Sequence, residues 1–144
     1  MRAAECFAGC GGTTCGLIAA GIDVRLGIDN DAAALAVLRA NHAHATLQMD
    51  LGEVEGAVQA IREVGHVDLL SGSPPCCDFS SAGRRVERAS VAGLTVAFAR
   101  IAVTLGVRCV WIENVPEMLR SSAWEEARDT LVNNGYSIIV LKKK

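Results

Sequence analysis

The sequence lacks the segments that would place a chain in a membrane or outside the cell. No apolar run approaches the roughly 20 residues that a membrane-spanning helix needs. The first residues, Met1 to Glu5, lack the hydrophobic region of a secretory signal peptide. No internal repeat, linker or low-complexity segment interrupts the 144 residues. We therefore expect a soluble, cytoplasmic chain with a single domain over residues 1–144.

The cysteines also lack the spacing of a metal site. None of the six belongs to a Cys-x-x-Cys pair, which argues against zinc, and we expect no metal. Several lie in apolar segments, which favours free thiols in a reducing compartment. They are Cys6, Cys10, Cys15, Cys76, Cys77 and Cys109.

A strong overall charge is missing as well. The formal net charge is −2, which argues neither for nor against a nucleic-acid partner. Basic residues are nevertheless clustered after the Cys76 region and at residues 142–144.

Short apolar segments alternate with helical segments along the chain. This alternation predicts an α/β fold, with a largely parallel, doubly wound sheet and helices on both faces. The carboxyl ends of such strands lie at one edge of the sheet, where ligands bind. We predict strands at 3–8, 22–28, 45–48, 66–70, 107–112 and 136–141, and helices at 13–20, 32–41, 53–64, 90–105 and 122–133.

The segment Ser71–Ser80 carries a candidate nucleophile. Pro74 must end the preceding strand because proline donates no ladder hydrogen bond, and the proline pair then holds the chain extended. Cys76 would thus stand on a stiff loop beyond the carboxyl end of a strand. The structural alternative is a buried thiol that packs as a small hydrophobe.

A glycine-rich turn, Gly9–Gly12, separates the first strand from the first helix. Glycines there let backbone N–H groups approach a ligand closely. Thr14 breaks the G-x-G-x-x-G spacing, which disfavours a dinucleotide pyrophosphate site. Asp29 ends the next strand, where a carboxylate can accept hydrogen bonds from ribose hydroxyls. Tight strand–helix packing with a helix cap is the structural alternative.

Glu113 follows the hydrophobic strand Cys109–Ile112. A carboxyl group at this edge could donate or share a proton with a heterocycle. The alternative is an acid that only ends the strand or caps a helix.

Taken in order, three motifs resemble those of the cytosine-C5 DNA methyltransferases. They are Phe7–Gly12, Pro75-Cys76 and Glu113–Val115, and the resemblance covers nearly the whole chain. It implies a Rossmann-like, S-adenosyl-L-methionine-dependent methyltransferase core. It also implies methyl transfer to C5 of cytosine in DNA through a covalent adduct with Cys76.

The resemblance further implies a cofactor site. The turn would hold the methionine part of S-adenosyl-L-methionine, Asp29 the ribose and Asp50 the adenine amino group. Asn30 stands where the family often has a larger residue over the adenine. The implied cofactor residues are Phe7, Gly9, Cys10, Gly11, Gly12, Asp29, Asn30, Asp50, Leu51 and Pro75.

On the substrate side, the resemblance implies that Glu113 grips a cytosine flipped out of the duplex. The loop after Cys76 would close over that base and contact phosphates. Cys77 replaces the family's usual Gln. The implied DNA-contacting residues are Ser80, Arg84, Arg85, Arg88 and Asn114.

The family pattern continues beyond the last predicted strand with a Gln-x-Arg-x-Arg motif, a target-recognition domain and a closing motif. The sequence has none of these. We therefore expect a fragment or one part of a split enzyme, inactive alone and needing a downstream portion with the missing motifs. In a split enzyme a second polypeptide would carry that portion. An RNA methyltransferase of similar core and a cofactor-binding subunit without turnover remain as alternatives.

Overall fold

The fold is a single parallel sheet flanked by helices. The computed structural model describes residues 1–75 and 85–141. Five strands pair in the order β3-β2-β1-β4-β5, all parallel. In chain order the elements are β1 Arg2–Cys6, α1 Gly12–Ala19, β2 Asp23–Asp29, α2 Ala32–Asn41, β3 Ala45–Gln48, α3 Val54–Glu63, β4 Leu69–Gly72, α4 Arg85–Leu105, β5 Cys109–Ile112, a 3-10 helix Pro116–Arg120 and α5 Ser122–Asn133.

The predicted α/β alternation is confirmed. β3, α2 and α5 have the predicted bounds, while α4 begins at Arg85 instead of residue 90. The 3-10 helix Pro116–Arg120 was not predicted. None of the helices among the described residues is long and apolar enough to cross a membrane.

The prediction of a last strand over residues 136–141 is wrong. This segment has no strand pairing among the described residues. Tyr136 is instead anchored by its hydroxyl, which donates to the carbonyl of Val107 at 2.7 Å. Ile139 and Leu141 are largely exposed. An apolar sequence becomes a strand only when a neighbouring backbone offers it a ladder, and none of the described strands pairs with this segment.

The connections between strands reverse direction at β1. From β1 the chain passes to β2 and β3 on one side, and later to β4 and β5 on the other. Cys6 at the end of β1 is in register with Gly72 at the end of β4. In a parallel sheet of this kind, the crevice at the carboxyl ends beside the reversal is the usual ligand site.

The main hydrophobic core lies between the sheet and α3, α4 and α5. Gly72 lets α4 approach the sheet closely, because a Cβ at this position would lie 2.5 Å from the Phe98 ring. A smaller cluster on the opposite face packs Leu17 of α1 against β1, β2 and β4. The main cluster includes Cys6, Ile28, Ile61, Leu70, Phe98, Ile101 and Leu131.

Candidate active site

The turn after β1 has an unusual backbone. Phe7, Gly9 and Gly11 all have positive φ, at 56°, 52° and 95°. The turn is closed by a hydrogen bond from the Gly11 N–H to the Ala8 carbonyl at 3.0 Å. Positive φ is uncommon for a residue such as Phe7, and strained backbone of this kind concentrates at functional sites.

Asp29 ties this turn to the end of β2. Its Oδ2 accepts from the Gly9 N–H at 2.8 Å, and its Oδ1 accepts from the Asp31 N–H at 2.9 Å. Each carboxylate oxygen has a further lone pair, so the group can still accept hydrogen bonds from a ligand. The structure therefore brings together the glycine turn and the acid that the sequence singled out.

The turn leaves space for a ligand that would bind its backbone N–H groups. Gly11, the N-cap residue of α1, makes no side-chain hydrogen bond to the first N–H groups of the helix. A Cβ at Gly9 or Gly12 would meet no described atom within 4 Å. A Cβ at Gly11 would lie 2.6 Å from Leu38 Cδ1. Free N–H groups at a helix start favour an anionic group such as a carboxylate. The turn thus has the donors that the methionine part of S-adenosyl-L-methionine would need.

The end of β3 lies beside Asp29. The Met49 N–H donates to the Asp29 carbonyl at 3.0 Å. Asp50 follows with an exposed carboxylate whose Oδ1 accepts from the Gly52 N–H at 2.9 Å, while Leu51 is buried. Asn30 is exposed, and its carbonyl accepts from Gln48 Nε2 at 3.2 Å. These residues border the same rim as the turn.

A second group of residues joins the ends of β4 and β5. Asn114 Nδ2 donates to the Pro74 carbonyl at 2.7 Å, and the Glu113 N–H donates to the Gly72 carbonyl at 3.1 Å. The Ser73 hydroxyl donates to Glu113 Oε2 at 3.3 Å. Glu113 and Asn114 therefore contact the residues that lead into Cys76. Glu113 is exposed among the described residues.

Several predicted site residues lie outside the described residues. These are Cys76, Ser80 and Arg84, together with Cys77. Arg85 and Arg88 belong to α4 by their backbone, but their side chains are not described. Pro75, directly before Cys76, is exposed.

The cysteines of β1 and the turn differ in exposure. Cys6 is fully buried, and burial together with the neighbouring Glu5 raises the pKa of its thiol. Such a thiol is inert at neutral pH, which removes Cys6 as a nucleophile. Cys10, in the turn, is exposed.

Sequence reasoning missed a buried polar pair beneath the turn. Glu5 in β1 is 1% exposed, and one of its carboxylate oxygens accepts from the hydroxyl of Thr14 in α1. Burial raises the pKa of the Glu5 carboxyl, while the Thr14 hydrogen bond opposes that rise. The only feature of the sequence that could have indicated this pair is the charged Glu5 within the apolar segment before the glycines.

The sequence of the chain is similar to that of a known protein family. Residues 1–142 match the family model described as C-5 cytosine-specific DNA methylase. The chain is 36% identical over 138 residues to the Type II methyltransferase M.HgiDI of Herpetosiphon aurantiacus, covering 96% of this chain and 44% of that protein. It is 35% identical to M.HgiGI of the same organism, covering 88% of this chain and all of that protein.

A similar fold occurs in a crystal structure assigned to a prophage-encoded DNA modification methyltransferase of E. coli. The TM-score is 0.75 at 24% identity, covering 94% of this chain and 37% of that one. This likeness concerns the fold alone. The chain spans less than half the length of M.HgiDI and of this structure.

Proposed function

The chain belongs to the C-5 cytosine-specific DNA methylase family, and from that membership we propose that it catalyses, together with the rest of a complete enzyme, methyl transfer from S-adenosyl-L-methionine to C5 of cytosine in DNA. One observation supports this most directly. The Gly9–Asp29 contact and the Asn114–Pro74 contact lie at the carboxyl ends of the adjacent strand pairs β1–β2 and β4–β5. The turn that we propose for the cofactor and the residues that lead into Cys76 thus lie at one rim, which supports the proposal.

In this proposal the cofactor lies along the ends of β1, β2 and β3. The backbone of the turn Phe7–Gly12 receives the methionine part. Asp29 accepts from the ribose hydroxyls, and Asp50 accepts from the adenine amino group. The hydrogen bonds of Asp29 support this role, because they leave lone pairs on both carboxylate oxygens for a ligand. In this proposal Asn30, Leu51 and Pro75 also border the cofactor.

The proposed chemistry gives Cys76 and Glu113 one role each. The cofactor supplies the methyl group. The Cys76 thiolate adds to C6 of cytosine, which makes C5 nucleophilic enough to accept that methyl group. Glu113 donates a proton to N3 and so stabilises the charge that develops on the ring. A base then removes the C5 proton, the thiolate leaves as the C5–C6 double bond re-forms, and the N3 proton returns to the Glu113 carboxylate.

The target base must leave the duplex to reach these groups. The loop after Cys76 closes over the flipped cytosine, with Ser80 and three arginines, Arg84, Arg85 and Arg88, on the DNA side. Guanidinium groups suit phosphate contacts because they donate several hydrogen bonds in a fixed geometry.

Methyl transfer in this proposal needs the part of the protein that corresponds to the remaining length of M.HgiDI, supplied in the same chain or by a second polypeptide. The free side of the sheet supports the need for it. Among the described residues, β4 is the only strand that pairs with β5. Trp111 in β5 is half exposed. Ile139 and Leu141 are also exposed. An apolar sheet edge of this kind is a site for further pairing or packing.

The proposal is tested by trapping the covalent intermediate. An oligonucleotide containing 5-fluorocytosine is incubated with S-adenosyl-L-methionine and the protein, with the remaining part supplied. Fluorine at C5 cannot be removed as a proton, so the thiol adduct persists. The wild type and Cys77→Ser should form an adduct, and Cys76→Ser should form none.

An adduct that persists in Cys76→Ser but is lost in Cys77→Ser would contradict the assignment of the nucleophile. No adduct on DNA but an adduct on the matching RNA oligonucleotide would contradict the proposed substrate. Binding of NAD, with no binding of S-adenosyl-L-methionine or its demethylated product, would contradict the cofactor.

A further inference from the structure

Glu5 is the only fully buried acid among the described residues, and the proposed reaction does not use it. It lies in β1, two positions before Phe7, with 1% of its surface exposed. Thr14, which donates its hydroxyl proton to the Glu5 carboxylate, is itself 0% exposed. A buried charge is costly unless it is paired and hydrogen-bonded, so the presence of Glu5 at a buried position needs a structural explanation.

The position of Thr14 supplies that reason. Gly11 stands at the N-cap of α1, which makes Thr14 the third residue of the helix. A normal N-cap side chain accepts a hydrogen bond from the second or third residue. Gly11 has no side chain for this, and a Cβ there would clash with Leu38 Cδ1 at 2.6 Å. The Glu5 carboxylate reaches the same turn of the helix from below.

Two features of this place partly offset the cost of burying the Glu5 charge, although burial still raises the pKa of its carboxyl. A negative group near the start of a helix is stabilised by the helix dipole. The Thr14 backbone N–H favours the ionised carboxylate in the same way as the Thr14 hydroxyl does. The side chain of Ser71, in register with Glu5 on β4, is also fully buried, and its hydroxyl has no hydrogen-bond partner among the described residues.

We propose that Glu5 is a positioning residue that caps α1 from inside the sheet through Thr14, and so fixes the glycine turn while leaving its outer surface free for the cofactor. This inference rests on the proposed function for the identity of the ligand. The cap itself is independent of that identity. A cap on the outer side would occupy the space above Gly9 and Gly12, where a Cβ would meet no described atom within 4 Å.

The test compares Thr14→Val, which removes the hydroxyl at nearly constant volume, with Thr14→Ser, which keeps it. Ile61→Val, in the core at α3, is the control for general destabilisation. Two quantities are measured in each variant. The first is amide hydrogen exchange at Gly9 and Gly11 without cofactor. The second is the dissociation constant for S-adenosyl-L-methionine by calorimetry.

In Thr14→Val we expect the rate of amide exchange at Gly9 and Gly11 to rise by about tenfold relative to the amides of β1. The dissociation constant for the cofactor should rise by a similar factor. Both changes correspond to the loss of one hydrogen bond. Thr14→Ser should behave like the wild type. Ile61→Val should change neither quantity beyond its effect on global stability.

Equal exchange at the turn in Thr14→Val and Ile61→Val, once corrected for global stability, would overturn the inference. So would failure of Thr14→Ser to restore protection of the turn. If the wild type bound no S-adenosyl-L-methionine while Thr14→Val still loosened the turn, the proposed cofactor would be wrong and the cap would stand.

Discussion

Asn114 and Pro74 connect the loops that follow β5 and β4. Asn114 Nδ2 donates to the Pro74 carbonyl at 2.7 Å, while its Oδ1 accepts from the Val115 N–H at 2.8 Å. Both ends of the amide are used, which fixes its orientation. Because Pro74 lies two residues before Cys76, this bond sets the direction in which the chain enters the cysteine loop.

Replacing Asn114 with Asp should slow methyl transfer without weakening cofactor binding. Aspartate keeps the acceptor for Val115 but cannot donate to Pro74. We expect kcat in the complete enzyme to fall roughly 10- to 100-fold, the scale of a lost hydrogen bond and a small misplacement of the reacting group. Single-turnover transfer of tritiated methyl groups measures this.

Asn134→Asp is the matched control, because Asn134 makes a similar bond to the Thr130 carbonyl at 2.8 Å on α5. Its kcat should stay near the wild-type value. Equal losses in both variants would mean that the Asn114 contact has no special role.

Asp29→Ala should weaken cofactor binding by roughly 1–3 kcal/mol, since it removes hydrogen bonds to a charged group. The Gly9 N–H would also lose its acceptor. Calorimetric titration with S-adenosyl-L-methionine measures the change.

Asp31→Ala is the control for this site. Asp31 caps α2 by accepting from the N–H groups of Ala33 and Ala34. Its loss should lower the free energy of unfolding by about 1 kcal/mol and leave cofactor affinity unchanged. An unchanged affinity in Asp29→Ala would contradict the ribose role.

Gly11→Ala and Gly12→Ala should separate folding from binding. A Cβ at Gly11 would meet Leu38 Cδ1 at 2.6 Å with φ at 95°, so the free energy of unfolding should fall by roughly 1–3 kcal/mol. A Cβ at Gly12 meets no described atom within 4 Å, so stability should hold while cofactor affinity falls. Urea unfolding and calorimetry give the two quantities. Full affinity in Gly12→Ala would show that the cofactor does not approach this turn.

Glu5→Gln should change the pH dependence of stability. Burial raises the pKa of Glu5 in the folded state above its ordinary value of 4.5. The folded state then holds this proton more tightly than the unfolded state, so the stability of the wild type falls as pH rises through that range. Glutamine does not titrate, and it keeps an oxygen that can accept from Thr14.

The free energy of unfolding of Glu5→Gln, relative to that of the wild type, should therefore increase as pH rises above 4.5. Urea unfolding at a series of pH values tests this. A difference that stays constant across the series would show that the Glu5 pKa is the same in the folded and unfolded states.

Local sequence determined much of this fold. Asp31 caps α2 through its own neighbours, and the bounds of α2 were predicted correctly for that reason. The glycine turn also follows from local chemistry, because Gly9 and Gly11 adopt a backbone that glycine tolerates without strain. The alternation of strands and helices then predicts that the polar strand ends meet at one edge, as the Gly9–Asp29 contact shows.

Tertiary structure decided the features that depend on partners far away in the sequence. The bond between Asn114 and Pro74 spans 40 residues, and nothing local to either residue predicts it. Residues 136–141 form no strand despite the strand propensity of the segment, because none of the described strands pairs with them. Glu5 reads from sequence as an ordinary charge, and only the burial of β1 beneath α1 makes it a cap. Local preferences select an element, but a buried polar group takes its role from whichever partner the packing brings within reach.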